Sequence, residues 1–331
     1  MKVYHDSSRL LQGHKPALER PVAKPIDRYQ PSPSIEVPLG KELAALMARN
    51  VALQYYDPKA DATAQARYYQ NLSLGADGQS AFEALSDLVC DTHHTHLGYE
   101  PRGYNWVHLR PNLRLEPIYA NEPVRSDSPL RLGLPVLSNK RLKRSPQARE
   151  KALSRLEAEG QEWVGSIGAS LDPVSAALRI AELEAKRYFN VEHVVAKYWY
   201  DNNPIMKGDL HHLFPEVKDR NSFRGNLPLG ELDGLGDARD SNHFEPAAGK
   251  GAVARATLYF LLRYPRALGG EGEYSAQDIE QLLKWHREDP PGLYELHRNA
   301  EIEKLQGNRN PFIDHPEWAD RVDFTLGLAR G

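Results

Sequence analysis

The chain has 331 residues, of which 40% are hydrophobic and 26% are charged, a composition typical of a globular protein that buries a substantial core. No apolar run approaches about 18 residues, so no membrane-spanning helix is expected. The single cysteine, Cys90, excludes an internal disulfide framework. The formal net charge of −3 does not by itself indicate a nucleic-acid partner.

The first third of the chain is predicted to begin with an extended arm. Residues 1–38 are rich in proline and show little periodicity, which is typical of such an arm. Apolar residues at helical spacing predict a helix from Lys41 to about Tyr56 and a second helix over Ser80–Cys90. Residues 104–135 mix short apolar runs with proline and glycine, which favours loops and short strands.

Two helices in the middle of the chain are predicted from their first residues. Ser145-Pro146 and Asp172-Pro173 each place an N-cap residue before a proline, the pair that favours a helix start. These helices are predicted to end near Gly160 and Arg187. Short strands are then expected near 192–196 and 209–213.

The last third of the chain is predicted to be mainly helical. A helix is expected to start near Asp219 or Asn221, and apolar periodicity predicts three more at 250–263, 275–288 and 292–305. Residues 308–331 are predicted to be irregular but ordered.

One segment departs from the chain's near-neutral charge. Residues 101–155 contain twelve Lys or Arg and four Asp or Glu, a local charge of +8. A basic face of this kind attracts phosphates and releases their counterions. The segment is therefore a candidate nucleic-acid contact, while a solvated loop with scattered charges stays the alternative.

The densest group of chemically active side chains lies between Phe189 and Asn226. Glu192 and His193 come first, followed by a run with paired histidines and then by a run with arginines and asparagines. A carboxylate, imidazoles, amides and guanidinium groups suit a hard metal ion, a proton acceptor and a phosphate. This inventory predicts hydrolysis of a phosphodiester.

Three runs in this segment follow one another in an order that is specific. They are Glu-His-Val-Val at 192–195, Asp-Leu-His-His-Leu-Phe-Pro at 209–215 and Asn-Ser-Phe-Arg-Gly-Asn at 221–226. This order resembles the endonuclease I family, non-specific nucleases with a His-Me finger (ββα-metal) core. Gly251–Tyr259 is similar to the family's Gly-x-x-Ala-Arg-Ala helix, and residues 298–316 contain runs similar to its C-terminal signature.

The resemblance covers about residues 189–318, with a weaker match over 81–120. Together with the predicted elements it indicates one domain over 39–331, α+β and mostly helical. The resemblance implies a His-Me finger core with surrounding helices. The segment 121–188 is predicted to be an insertion relative to shorter relatives.

His193 is predicted to be the general base, because a neutral imidazole accepts a proton from water at physiological pH. It then needs an orienting partner, often a backbone carbonyl, on its other nitrogen. The resemblance implies that Glu192 is a metal ligand, and a carboxylate suits Mg²⁺. Neighbouring residues on a regular strand point to opposite faces, so the strand is predicted to end, bend or bulge at this pair.

Asn221 is predicted to be the second metal ligand, since it matches the asparagine of the family's helix. The alternative role is a helix N-cap, which also favours asparagine, and Asn226 is the competing ligand. Mg²⁺ is the expected ion, with Mn²⁺ and Ca²⁺ as alternatives that share oxygen ligands.

Several cations are candidates for phosphate contact, with Arg224 as the predicted catalytic one. Arg220, Arg255 and Arg298 are further candidates, although each alone is more often a structural ion-pair former. Some relatives carry an arginine in the connector between the strands, where this chain offers only Lys197 and Lys207. The cation that assists the transition state is left open.

Two groups of histidines have no assigned role at this point. By strand alternation Asp209 and His211 would share one face and His212 the other, with one histidine structural and the second unassigned. Cys90, His93, His94 and His96 form an alternative zinc cluster, but four ligands within seven residues crowd a tetrahedral site.

The predicted function is a metal-dependent, sequence-non-specific endonuclease that hydrolyses DNA, with RNA as a second substrate class. The resemblance implies products with 5′-phosphate and 3′-hydroxyl ends. The alternatives are an inactive nucleic-acid-binding module, a toxin or effector domain held by an inhibitor protein, and a zinc hydrolase built on residues 90–96. The N-terminus lacks an apolar secretory stretch, which favours the cytoplasm or export by another route, whereas relatives are often periplasmic or secreted.

Overall fold

The computed structural model describes residues 25–30, 55–99, 105–111, 115–119, 189–270 and 272–329. Within these ranges the fold is α+β, with helices around two small antiparallel sheets, which confirms the predicted class. Several predictions lie outside the described residues: nearly all of the 1–38 arm, the two helices that begin at Ser145 and Asp172, the 121–188 insertion and most of the basic segment 101–155.

Two capped helices open the described body. The first, Pro58–Tyr68, begins at Asp57, whose side chain accepts the N–H groups of Lys59 and Ala60. This helix was not predicted. The predicted helix from Lys41 to about Tyr56 lies outside the described residues except for Tyr55 and Tyr56, which are not helical. The second helix, Gly78–Asp91, confirms the predicted one and extends it slightly at both ends.

Three long helices near the C-terminus lie within one residue of their predicted bounds: Lys250–Arg263, Ala276–Glu288 and Leu293–Gln306. Lys250–Arg263 is buried along almost its whole length and packs against Gly78–Asp91 and Ala276–Glu288. Gly251 permits this packing, because a Cβ at this position would lie 2.0 Å from the Asp289 carbonyl oxygen. No helix among the described residues is both long and apolar enough to span a membrane.

Short elements complete the described chain. They are the helices Asn105–His108, Pro204–Gly208, Lys218–Arg224 and Pro311–Asp314 and the 3₁₀ helices Lys197–Tyr200, Leu210–His212, Pro316–Arg321 and Phe324–Gly327. Three of them, Pro311–Asp314, Pro316–Arg321 and Phe324–Gly327, make residues 308–329 irregular but ordered, as predicted. A three-stranded sheet joins β1 (Asp27–Arg28), β4 (Ala238–Arg239) and β5 (Phe244–Glu245).

The central hairpin consists of β2 (Phe189–His193) and β3 (Leu213–Val217), which are antiparallel. The helix Lys218–Arg224 follows β3 directly and packs against both strands. The predicted bounds were wrong by three residues for the first strand and by four for the second. The Asp209 side chain accepts the His211 N–H and opens a 3₁₀ turn, so the predicted strand alternation of these residues is wrong as well.

The hairpin separates two apolar clusters. Glu192 pairs with Phe214, which belongs to the main core around the Lys250–Arg263 helix. His193 pairs with Leu213, which belongs to a smaller cluster with Val107 and Ile302. Because side chains alternate along a regular strand, Glu192 and His193 can serve one phosphate only where the strand ends. β2 ends at His193, so this pair does lie at a strand end.

Candidate active site

Glu192 is held through one of its two carboxylate oxygens. Its side chain is buried, and its Oε1 accepts hydrogen bonds from the Tyr119 hydroxyl at 2.8 Å and from Arg224 Nη1. Burial raises the pKa of Glu192, while Arg224 and Tyr119 oppose this shift by stabilising the carboxylate. No hydrogen-bond partner occupies Oε2 among the described residues, which leaves that oxygen for another ligand.

Arg224 is the group that fixes Glu192 and the end of β2. It is buried, and besides Glu192 it donates to the carbonyl oxygens of His193 (2.8 Å), Val194 (2.7 Å) and Leu227 (3.1 Å). The surrounding anionic groups raise its pKa further above its ordinary value despite its burial. The guanidinium is therefore largely engaged within the fold, whereas sequence analysis assigned it to a substrate phosphate.

His193 has the orienting partner that a general base requires. Its Nε2 lies 3.2 Å from the Lys207 carbonyl oxygen, and since a carbonyl only accepts, Nε2 carries the proton and Nδ1 is the basic nitrogen. Its ring lies 5.1 Å from that of Tyr99 and 5.6 Å from that of His212. Burial, and next the His212 imidazole, lower the pKa of His193 to about 2, so the imidazole is neutral at physiological pH.

Asn221 lies within the helix Lys218–Arg224, whose N-cap is Val217, so the alternative N-cap role is wrong. Its Nδ2 lies 3.4 Å from the Val191 carbonyl oxygen, which leaves Oδ1 without a protein partner among the described residues. The competing Asn226 is exposed beyond the end of the helix.

A carboxylate oxygen and an amide oxygen are donors that suit Mg²⁺, which keeps several waters and uses few protein ligands. Glu192 Oε2 and Asn221 Oδ1 thus fit the metal ion that the sequence implies. The described ranges contain no group of three His, Cys, Asp or Glu placed to hold an ion. A two-ligand site is compatible with that finding, and a zinc centre with three or more such ligands is not.

The other candidate arginines are engaged within the fold. Arg220 pairs with Glu216 at 3.2 Å and with Asp237 at 3.2 Å. Arg255 forms a buried two-point ion pair with Glu295 through bonds of 2.7 Å each. Arg298 donates to His108 and to two backbone carbonyls beside the hairpin. These contacts match the structural alternative weighed for each residue.

Asp209 and the paired histidines form a buried polar network. Asp209 accepts from the hydroxyls of Tyr259 (2.8 Å) and Tyr264 (3.0 Å) and from the Gln306 amide (3.0 Å). His211 and His212 contact the carbonyl oxygens of Asn308 and Met206, at 3.3 and 2.7 Å. Both histidines therefore position the chain between the connector and β3.

The Cys90–His96 cluster does not form a three-ligand metal site among the described residues. His93 is buried and accepts a hydrogen bond from Arg263 Nε at 3.0 Å, whereas His94 and His96 are exposed. The Cys90 thiol lies 3.4 Å from the Arg263 carbonyl oxygen. With no three-ligand group in the described part of the chain, the alternative zinc site has no support.

Sequence analysis missed two residues beside Glu192. Tyr119 contacts Glu192 through its hydroxyl, and its backbone N–H donates to Glu216 Oε2 at 2.9 Å. Glu216 is fully buried and also accepts from Arg220. No local pattern marks Tyr119, since it lies about seventy residues before Glu192.

Glu216 gives a testable pH dependence. Burial raises its pKa from 4.5 to about 7, so the folded protein binds a proton that the unfolded chain has already released. Stability from this group is present below pH 4.5 and is lost as pH rises to about 7, by up to about 3 kcal/mol. Glu216→Gln is expected to remove this loss. The free energy of unfolding of the variant should therefore rise relative to that of the wild type as the pH increases from 5 to 7.

Urea unfolding at several pH values measures this difference. Any hydrogen bond that glutamine makes poorly adds an offset that does not change with pH. The exposed Glu288→Gln variant is the control and should track the wild type. A pH-independent difference between Glu216→Gln and wild type would contradict the prediction.

Comparisons with known proteins find similarity to nucleases in the same region of the chain. Residues 171–317 match the sequence profile of the Endonuclease I family. An extracellular ribonuclease of Bacillus subtilis (strain 168) is 37% identical over 161 residues, 40% of this chain and 54% of the relative. An extracellular deoxyribonuclease and a periplasmic deoxyribonuclease of Aeromonas hydrophila are each 34% identical over 121 residues, 33% of this chain and 50% and 48% of those relatives.

The match contains the whole hairpin, the helix that follows it and most of the C-terminal helices. Over this region the chain is similar to the endonuclease I family. The chain spans about half the length of the curated relatives that it matches.

Proposed function

We propose that this protein is a metal-dependent endonuclease that hydrolyses nucleic-acid phosphodiesters without sequence specificity. One observation carries the proposal. At the end of β2, a buried carboxylate, one oxygen of which has no partner within the described ranges, precedes a neutral imidazole whose proton position is set by a backbone carbonyl. Asn221, on the helix that packs against β2, supplies a second oxygen.

The succession of β2, β3 and Lys218–Arg224 supports the further proposal of a His-Me finger, or ββα-metal, core. The two strands pair along their full length and the helix starts directly at the end of β3. Glu192 belongs to the first strand and Asn221 to the helix, so one ion held by both would join the first and last elements of this unit.

His193 begins the proposed reaction by taking a proton from water through Nδ1, while its Nε2–H donates to the backbone carbonyl of Lys207. The water oxygen forms a bond to phosphorus as the bond from phosphorus to the 3′-oxygen breaks, and the 3′-oxygen leaves with a proton from solvent. Mg²⁺ on Glu192 and Asn221 would supply charge neutralisation at the phosphate and the leaving oxygen. The products carry 5′-phosphate and 3′-hydroxyl ends.

Both DNA and RNA are proposed as substrates, because the relatives are named as ribonucleases and as deoxyribonucleases. Contacts to phosphate and sugar carry no sequence information, which fits a broad substrate range. An inactive module that binds nucleic acid, or an effector domain that an inhibitor protein holds, differs from this proposal in measurable ways.

The metal site predicts a specific dependence on Mg²⁺. Plasmid DNA and folded RNA should be degraded with Mg²⁺, spared with a chelator and degraded again when Mg²⁺ is restored. Asn221→Ala should raise the Mg²⁺ concentration for half-maximal activity by at least about tenfold, because it removes one of two protein ligands. Asn226→Ala is the matched control and should leave this concentration unchanged.

The outcomes separate the alternatives. Binding without degradation at any Mg²⁺ concentration would identify an inactive module. Degradation that persists in the chelator would contradict the metal site. A larger effect of Asn226→Ala than of Asn221→Ala would move the second ligand to the exposed residue.

A further inference from the structure

The connector between β2 and β3 is a built structure beside His193. It contains the 3₁₀ helix Lys197–Tyr200 and the helix Pro204–Gly208, which contact each other. Asp201 and Asn202 lie between these two helices, and both have φ of 54°. This left-handed conformation turns the chain sharply from the first helix to the second. The Asn202 N–H donates to the Lys197 carbonyl at 2.9 Å and closes this turn.

Three consecutive aromatic residues in this connector have different environments. Tyr200 is buried and its ring lies 5.4 Å from that of Phe260. Trp199 packs against Tyr274 at the same ring separation, 5.4 Å. Tyr198 instead points away from the body and is 72% exposed. Trp199 and Tyr200, the two residues that follow Tyr198, therefore anchor the segment that exposes it.

Tyr198 is unusual among the exposed apolar side chains. The others with large exposure in the described part of the chain, Ile26, Leu235 and Leu293, are aliphatic. A single exposed apolar residue is ordinary on a protein surface and needs no explanation by itself. What distinguishes Tyr198 is its place in a connector that carries two lysines and contacts the proposed general base through the Lys207 carbonyl.

Two lysines in the same connector supply that charge. The Lys207 carbonyl contacts His193 Nε2, and the Lys207 ammonium lies 4.8 Å from the centre of the Tyr99 ring. Lys197 is next to Tyr198 in the chain, and the positive charges of both lysines act on His193. Neither ammonium has an ion-pair partner among the described residues, so both remain available for phosphates.

We propose that Tyr198, between Lys197 and Lys207, is a stacking platform for an unpaired nucleobase next to the scissile phosphate. The occupant is single-stranded nucleic acid, because a base can lie flat on an exposed ring only when it has left its duplex stack. Every base has a π-face, so this contact does not depend on sequence. The two ammonium groups hold the flanking phosphates. This inference rests on the proposed nuclease function and assigns it a preferred substrate form.

Binding of fluorescein-labelled oligonucleotides, measured by anisotropy, tests the platform. His193→Ala is the background for these measurements, so that the strand stays intact, and Mg²⁺ is present throughout. Tyr198→Ala should raise the Kd for a single-stranded oligonucleotide roughly tenfold to a hundredfold, the range for loss of one stacked base. Tyr198→Phe keeps the ring and should change Kd by less than about threefold. Leu235→Ala, which truncates another exposed side chain, should leave Kd unchanged.

A series of oligonucleotides with one abasic site each locates the contact. At one position the abasic site should weaken binding by the Tyr198 protein and have no further effect in Tyr198→Ala. Binding of a blunt duplex should change less than about threefold in either Tyr198 variant.

The possible results separate this inference from the nuclease proposal. If the wild type degrades nucleic acid but Tyr198→Ala binds single strands as tightly as Tyr198→Phe, the platform is refuted and the nuclease stands. Equal losses for single strands and duplex would also refute a stacking contact. If the wild type does not degrade nucleic acid under any condition, the nuclease proposal itself fails.

Discussion

Replacing His193 by alanine is expected to lower the rate of nucleic-acid cleavage by about 10²-fold to 10⁴-fold, the range for loss of a general base. The fold should persist, because in the described part of the chain the imidazole makes one hydrogen bond, to the Lys207 carbonyl, and β2 pairs through its backbone. Cleavage of supercoiled plasmid measures the rate, and circular dichroism with urea unfolding checks the fold. His94→Ala, at an exposed histidine, is the control and should keep full activity.

The pH profile of the wild type adds a second constraint. Because burial lowers the pKa of His193 to about 2, its imidazole is unprotonated throughout the neutral and mildly acidic range. The rate should therefore not fall through pH 6.5 from protonation of this residue. A wild-type profile with an acid limb near pH 6.5 that His193→Ala abolishes would contradict the buried geometry, and full nicking by the variant would refute its role as the base.

Replacing Arg224 by alanine is expected to destabilise the protein by about 3–5 kcal/mol, the cost of breaking a buried ion pair from one side. The change leaves Glu192 buried without its counter-charge and removes one donor from each of three backbone carbonyls. Urea unfolding measures the loss. Arg287→Ala is the matched control, because its ion pair with Asp320 is about half exposed and should contribute less than about 1 kcal/mol.

Further variants separate the two roles assigned to Arg224. Arg224→Lys keeps the charge but cannot reproduce the planar set of donors, so it should recover only part of the stability. Arg224→Ala combined with Glu192→Gln should lose less stability than the sum of the single changes, because the two side chains interact directly. A variant that unfolds like the wild type but no longer cleaves would instead support the predicted phosphate contact.

The sequence did not predict which of the candidate arginines are engaged within the fold. Arg220, Arg224, Arg255 and Arg298 are equally suited to phosphate by their chemistry, and nothing in the local sequence ranks their burial. In the fold their partners come from distant segments, such as Glu192 for Arg224 and Glu295 for Arg255. Lys197 and Lys207, the cations proposed to contact phosphates, belong to a connector whose sequence was notable only for lacking an arginine.

The sequence by itself determined the helices Lys250–Arg263, Ala276–Glu288 and Leu293–Gln306, because their apolar periodicity and end residues are local signals. It also determined which region is similar to the Endonuclease I family, since that similarity depends on the order of the motif residues along the chain. Only the tertiary structure decided where β2 and β3 begin, since strands of five residues carry weak local signals and their register depends on the partner strand. It also decided that Tyr119 and Arg224 donate hydrogen bonds to the same oxygen of Glu192. Contacts between residues far apart in the chain form only when the core packs.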